Sequence, residues 1–322
     1  MSLKEKYISI ESLEDLTRCI NLASLLEISG YPKPGNIHRT QDFSETRYEH
    51  FLGGIAAILP SFRDLCERVH DNLSEDEQDY SFVKLGRFFK KAAEEMMKHQ
   101  KGGNVLLGHI LIIAPLAAAA TICLKKRELS LKDFSITLNK IIDDATVEDT
   151  ILLYDAIRTC NPGGLGSIDK YDLNDENSLE VIRADKVTLK KIFEISAEYD
   201  LIGVEYSTGF KITLTEGLPY FFLVFNQTKD INIATVNTFL KILAAHPDTL
   251  IIRKAGFDNA LMVKEKAAKI VQYGGINSKK GLKLTKKLDK VLQKQNGLLN
   301  PGTTADIIAG IILCALLFGL IF

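Results

Sequence analysis

Two uninterrupted apolar segments set the terms for what this chain can fold into. Val105 to Leu124 carries no formal charge apart from whatever His109 bears, and Ile307 to Phe322 is apolar to its last residue. A membrane-spanning helix needs about 17–25 such residues, so the first segment is long enough and the second is short. The other solution is a pair of central helices that are apolar all round because they are buried all round. The remaining sequence favours the second solution. With 46% hydrophobic and 25% charged residues, the 322-residue chain has the balance of a globular protein with ample length for a core. We therefore expect one all-α domain over residues 1–322, with these two segments at its centre and no membrane.

Helical periodicity fills most of the rest. Leu13, Leu16, Ile20, Ala23 and Leu26 share one face of a first helix that Ser12 is placed to cap. In Ser81 to Gln100 the residues Val83, Leu85, Phe88, Phe89, Ala92 and Met96 point one way and lysines the other. Further helices are expected at 46–70, 105–125, 130–143, 147–159, 187–207, 232–245, 258–273, 280–295 and 304–321. Only Phe210 to Leu214 and Tyr220 to Phe225 look β-like, and both are short.

Formal net charge is −1, so nothing global attracts the chain to nucleic acid or an anionic surface. Any anion site must be a local cluster of Lys and Arg. The basic stretch Lys279 to Lys294 has Leu284, Leu288, Val291 and Leu292 on its other side, the pattern of an amphipathic helix with a solvated face. Cys19, Cys66, Cys123, Cys160 and Cys314 are scattered and odd in number, as reduced thiols of a cytoplasmic protein would be. Met1 to Tyr7 is polar and lacks a secretory pattern.

Five features exceed what a plain helical bundle requires. Tyr31-Pro-Lys-Pro-Gly35 stops the first helix in a stiff bend and brings Lys33, His38 and Arg39 together, as a phosphate site or as a rigid loop. Lys101-Gly-Gly-Asn104 leads into the apolar segment, where backbone N–H groups at a helix start can accept an anion. Thr146 and Asp149 have capping-box spacing, and Asn161-Pro-Gly-Gly-Leu-Gly166 follows with glycines whose entropy cost implies close approach of something. Asp200, Gly203 and Ser207 fall on one face of the expected 187–207 helix, leaving room beside a carboxylate or permitting close packing. His246-Pro-Asp248 ends one helix and can cap the next, Arg253-Lys254 adds adjacent cations, and Thr303 and Asp306 repeat the capping-box spacing.

In this order, several of these segments resemble the triphosphoribosyl-dephospho-CoA synthase family. They are Pro32-Lys-Pro-Gly35, Asp149 with Tyr154 and Ala156-Ile157, Pro162-Gly-Gly-Leu165, Asp200 with Tyr206 and Gly209-Phe210, His246-Pro-Asp-Thr-Leu250 with Arg253-Lys254, and Asn300-Pro-Gly-Thr-Thr-Ala-Asp306. The resemblance covers roughly residues 20 to 320. It implies an all-α transferase that takes ATP and 3′-dephospho-CoA, releases adenine and joins the triphosphoribosyl group to the acceptor's ribose 2′-OH. One position departs: Asn104-Val105-Leu106 stands where bacterial members typically read Asn-Thr-His. That leaves room for another nucleotide-like acceptor, and a nucleotide- or CoA-binding protein without turnover is the further alternative.

Breaking the C1′–adenine bond builds oxocarbenium character, as in glycoside hydrolysis, which sets the expected roles. Lys33, Arg39, Arg253 and Lys254 would hold the triphosphate, with Mg²⁺ on Asp149 and Asp306. Asp200, then Asp149, would stabilise the sugar cation or take the 2′-OH proton, and Asp248 or His246 would protonate adenine. Gly35, Asn104, Gly163, Gly164, Thr303 and Thr304 complete the expected nucleotide contacts. Lys33, Asn104, Gly163, Asp200 and Arg253 are expected to line one cleft.

Overall fold

A computed structural model describes residues 6–74, 76–163 and 170–322. Their chain runs through α1 (Leu13–Ser29), α2 (Tyr48–Asn72), α3 (Leu85–His99), α4 (Leu107–Lys126), α5 (Leu131–Asp144), α6 (Val147–Cys160), α7 (Ser178–Ala184) and α8 (Leu189–Ser196). It continues through α9 (Leu201–Thr208), α10 (Leu218–Thr228), α11 (Ile231–Ala245), α12 (Thr249–Ala255), α13 (Phe257–Gln272), α14 (Lys279–Gln293) and α15 (Gly302–Leu317). No strand occurs among the described residues, only isolated bridges at Tyr7–Ser130 and His38–Gln41. The all-α expectation holds.

Short polar side chains open the helices, because each can accept a hydrogen bond from an N–H that the first turn leaves without a partner. Ser12, Ser130, Thr146, Thr188, Asp230 and Ser278 do so for α1, α5, α6, α8, α11 and α14. The two β-like runs are helical. Glu205 accepts the N–H groups of Ile212 and Thr213, at 2.9 and 2.7 Å, which starts a π-helical turn over Ile212–Gly217 that runs directly into α10.

The two long apolar segments become α4 and α15, and they pack on each other at the centre. Leu107–Lys126 has the length and composition of a membrane span, yet 94% of its apolar window is buried inside the protein. Around this pair, α2, α3 and α5 pack on α4, α10 and α11 pack on α15, and α1 packs on both. Pro115 sits inside α4 and has no N–H for the carbonyl of Leu111. Tyr206, buried on α9, donates its hydroxyl to that carbonyl at 2.7 Å. One hydrogen bond therefore mends the helix interruption and ties α9 to the core beside the cleft described next.

The expected single helix 187–207 is two helices. α8 ends at Ser196 and α9 begins after Asp200, whose carboxylate accepts from Ile202 N at 3.0 Å. The small-residue face is consequently a packing surface. A Cβ on Gly203 would lie 2.4 Å from Ser196 Oγ and 2.7 Å from Ala197 N, so this glycine lets the α8–α9 corner close. Ser207 only bonds back to Val204 O.

Candidate active site

A cleft of about 770 Å³ opens where α4, α6, α8, α9, α12 and α15 converge, within the range of small-molecule sites. It brings together residues that the sequence spreads over two hundred positions: Asn104, Gly163, Asp200, Arg253, Lys254, Thr303 and Asp306. Glu27, Asn36, Gly108, His109 and Asn300 join them.

Its polar end is built around two carboxylates. Asp200 receives Arg253 Nη1 on Oδ2 at 2.7 Å, and Ile202 N and Thr249 Oγ1 on Oδ1 at 3.0 and 3.3 Å. Thr249 Oγ1 also lies 3.2 Å from Thr303 Oγ1. Arg253 thus spends one arm on Asp200, while its buried Nε–H has no partner among the described residues. A guanidinium N–H left in that state beside a cleft suits an incoming phosphate oxygen. Lys254 adds a second cation; burial and the adjacent Arg253 lower its pKa.

Asp306 lies near the N-terminal end of α15, just past its first turn, against the start of α4. A Cβ on Gly108 would fall 2.0 Å from Asp306 Oδ2, so glycine at 108 is what makes room for this carboxyl. Burial, then the charges of Glu27, Asp248 and Asp200, hold its pKa well above the usual carboxylate range. His109 Nδ1 is 4.0 Å away and gives no compensating charge, because burial pushes that imidazole down to about 3. His109 Nε2 pairs with Ser24 Oγ at 2.9 Å.

Several expected site residues belong to the scaffold instead. Lys33 is fully buried, bonded to Glu27 Oε1 and to the carbonyl of Glu27 at 2.8 Å, so its ammonium is already matched and does not face the cleft. Gly35, at φ +75°, is required because a Cβ would sit 2.7 Å from Leu299 O, and its N–H serves Asp289. His38 also pairs with Asp289, at 3.3 Å, and exposed Arg39 lies over the Tyr31 ring away from the cleft. Asp149 caps α6 with Oδ2 and binds Gly86 N with Oδ1 at 2.8 Å, buried and off the cleft. Asp248 is likewise consumed: Oδ1 caps α12 and Oδ2 takes Thr304 N and Oγ1 at 2.7 and 2.8 Å. That makes Thr304 a latch between α12 and α15, buried and off the cleft. His246 pairs with Glu216 at 2.8 Å, outside the cleft. Thr303 and Asp306 are not a capping box, since no side chain caps α15. Gly164 lies outside the described residues.

Asn104 both lines the cleft and accepts from Leu107 N at 3.1 Å, so it occupies an N–H that an anion was expected to take. Of the departing pair Val105-Leu106, only Val105 faces the cleft; Leu106 packs against the Gly54 position. Asn36, Gly108, His109 and Asn300 line the cleft without having been expected there, and so does the acid Glu27. Its signal was an acid on the apolar side of the first helix, one turn before the bend that carries Lys33.

No group of three or more His, Cys, Asp or Glu side chains is arranged for a metal among the described residues. Mg²⁺, however, takes most of its ligands from water and phosphate and only one or two from carboxylates. Asp306 fits that demand. Its oxygens accept no hydrogen bond among the described residues, and the acids around it favour a cation.

The cleft of this all-α fold thus holds two cations, a carboxylate paired with one of them and a second carboxyl. The chain belongs to the ATP:dephospho-CoA triphosphoribosyl transferase family, whose model matches residues 13–320. It is similar to the 2-(5″-triphosphoribosyl)-3′-dephosphocoenzyme-A synthases of Escherichia fergusonii, 30% identical over 128 residues, and Klebsiella pneumoniae, 29% over 113. Those matches cover 39% and 34% of this chain and 42% and 37% of the relatives, so the chain matches about two fifths of their length. Protein CitXG of Leuconostoc mesenteroides is 24% identical over 88% of this chain and 54% of its own. A solved structure from Archaeoglobus fulgidus that carries the same synthase name superposes with a TM-score of 0.61 and 25% identity, covering 83% of this chain and 99% of that one.

Proposed function

We propose that this chain transfers the 5-triphosphoribosyl group of ATP to the ribose 2′-OH of 3′-dephospho-CoA and releases adenine. The observation that carries the reading is convergence. The Asn104, Gly163, Asp200, Arg253, Asn300 and Asp306 segments, remote from one another in sequence, line one cleft in a chain of this family.

The bond from C1′ to adenine breaks, and a bond from C1′ to the acceptor's 2′ oxygen forms. The proton lost by the hydroxyl is balanced by the one adenine gains. Arg253 offers the triphosphate a free N–H, and Lys254 adds charge. Asp306 would hold the Mg²⁺ that travels with ATP, which supplies neutralisation of phosphate charge there. Asp200 has both oxygens engaged, so its fitting task is not to carry a proton. It is a fixed negative charge against the cation that develops on the sugar, preorganised by Arg253, Thr249 and the α9 N-terminus.

Chromatography of the enzyme with ATP, Mg²⁺ and 3′-dephospho-CoA tests this. Adenine is expected in a one-to-one ratio with a new, more highly phosphorylated CoA derivative. Adenine that appears only with another nucleotide would replace the acceptor. No adenine with any nucleotide would leave a binding protein.

A further inference from the structure

The cleft has two chemistries in one space. Its α9–α12–α15 end carries the charges described above. Its other end, between α6 and α8, is walled by Leu153, Ile157, Leu173, Ile192 and Phe193, with no charged side chain among these five. The one acid beside that wall, Asp172, accepts from Asn174 N and Nδ2 at 2.8 and 3.0 Å, and the neutral polar groups there are engaged within the protein as well. Tyr154 donates its hydroxyl to Tyr171 O at 2.7 Å, Ser196 Oγ donates to Phe193 O at 3.1 Å, and the Tyr171 hydroxyl is on Asp185. The wall is also rigidly mounted: Arg158 of α6 holds Leu173 O and Asp175 O, both at 3.0 Å.

A compartment of this kind suits neither ligand part with strong polar demands. A triphosphate needs cations, and a purine edge is read by directed hydrogen bonds that these engaged groups do not offer. An aliphatic chain loses water there and asks for little in return. Its occasional amide groups can be met by Asn161, an exposed residue that also lines the cleft.

We propose that the arm between α6 and α8 binds the uncharged, amide-bearing thiol chain of a CoA-type acceptor, and that this arm tells such acceptors from plain nucleotides. The inference rests on the transferase reading for its choice of ligand. It moves acceptor selection away from the Asn104-Val105-Leu106 loop, of which only Asn104 and Val105 reach the cleft.

ADP is the matched probe, because it keeps the adenosine diphosphate of 3′-dephospho-CoA and lacks the chain. Binding is measured by calorimetry for 3′-dephospho-CoA, ADP and ATP, on wild type and on Ile192→Trp, which fills the arm. Ile157→Trp, at a half-buried wall position, is the second variant should the first fail to fold by circular dichroism. Wild type should bind 3′-dephospho-CoA roughly a hundredfold more tightly than ADP, the order expected for several buried methylene groups. The tryptophan variant should remove most of that preference while ATP affinity stays within about twofold, since the arm's apolar area is what it blocks. Equal wild-type affinity for the two acceptors overturns the proposal. So does a variant that weakens ATP in parallel, which would place ATP's base in the arm. Adenine release is read on the same samples. Its absence together with a retained chain preference would sink the transfer reaction and leave the arm assignment standing.

Discussion

Lys33 and Glu27 form an ion pair with almost no access to water, and burial opposes the charge on both. Such a pair contributes little net stability when intact, but removing one partner strands the other. Lys33→Met is therefore expected to lower unfolding free energy by about 3–5 kcal/mol. Glu27→Leu/Lys33→Met should recover most of that loss. Chemical denaturation of the three proteins measures it. A single mutant as stable as wild type would return Lys33 to the list of phosphate ligands. The sequence displayed Lys33 beside His38 and Arg39 and could not display its partner's geometry. A cation in a Pro-Gly bend reads the same whether it faces a ligand or an acid buried behind it. Asp149 and Asp248 posed the same ambiguity. Their cap spacing was legible, but the second oxygen's partners, Gly86 N and Thr304, come from remote chain.

At the scale of elements, most of the long helices and their boundaries were legible because periodicity and caps are local, whereas α7, α10 and α12 were not read as helices and α8 and α9 were read as one. The failures lie where a tertiary contact decides. The break between α8 and α9 is fixed by Asp200 capping inward toward Thr249 and Arg253, and the β-like runs curl because Glu205 gathers two amides. Glu205 is fully buried, and burial raises its carboxyl to about 7 despite those donors. A raised folded pKa means that the folded state binds the proton more tightly than the unfolded chain does. The associated stability is complete below the ordinary glutamate value, about 4.3, and is lost as pH rises through about 7. A shift of that size corresponds to roughly 3 kcal/mol. Wild type should thus melt at progressively lower temperature between pH 5 and pH 7.5 by more than Glu205→Gln does. The mutant will be less stable throughout, because its amide nitrogen must face an N–H that the carboxylate accepted. Parallel pH profiles for the two proteins would show that Glu205 keeps an ordinary pKa.

Across the whole molecule the cleft was legible as a set of loops without a map. Asn104, Gly163, Asp200 and Arg253 meet in one cleft as expected, and Lys33 does not join them. The apolar arm left no sequence signal, because Leu153, Ile192 and Phe193 read as ordinary core positions. Asp200 is where the assembled site can be tested as a unit, since it joins α9, α12 and, through Thr249 and Thr303, α15. Asp200→Asn preserves shape and the ability to cap α9. It removes the charge that faces the developing sugar cation and loosens the anchor on Arg253. Loss of one preorganised electrostatic contact of this kind lowers turnover by roughly 10²–10³-fold. Adenine release should fall by that amount, with ATP affinity little changed because Arg253 and Lys254 both remain. A scaffold role predicts the opposite pairing: a lower melting temperature and an unchanged rate per folded molecule. Thermal melts, ATP titration and adenine release on one preparation separate the two, and an unchanged rate would remove Asp200 from the chemistry and leave it as the cap of α9.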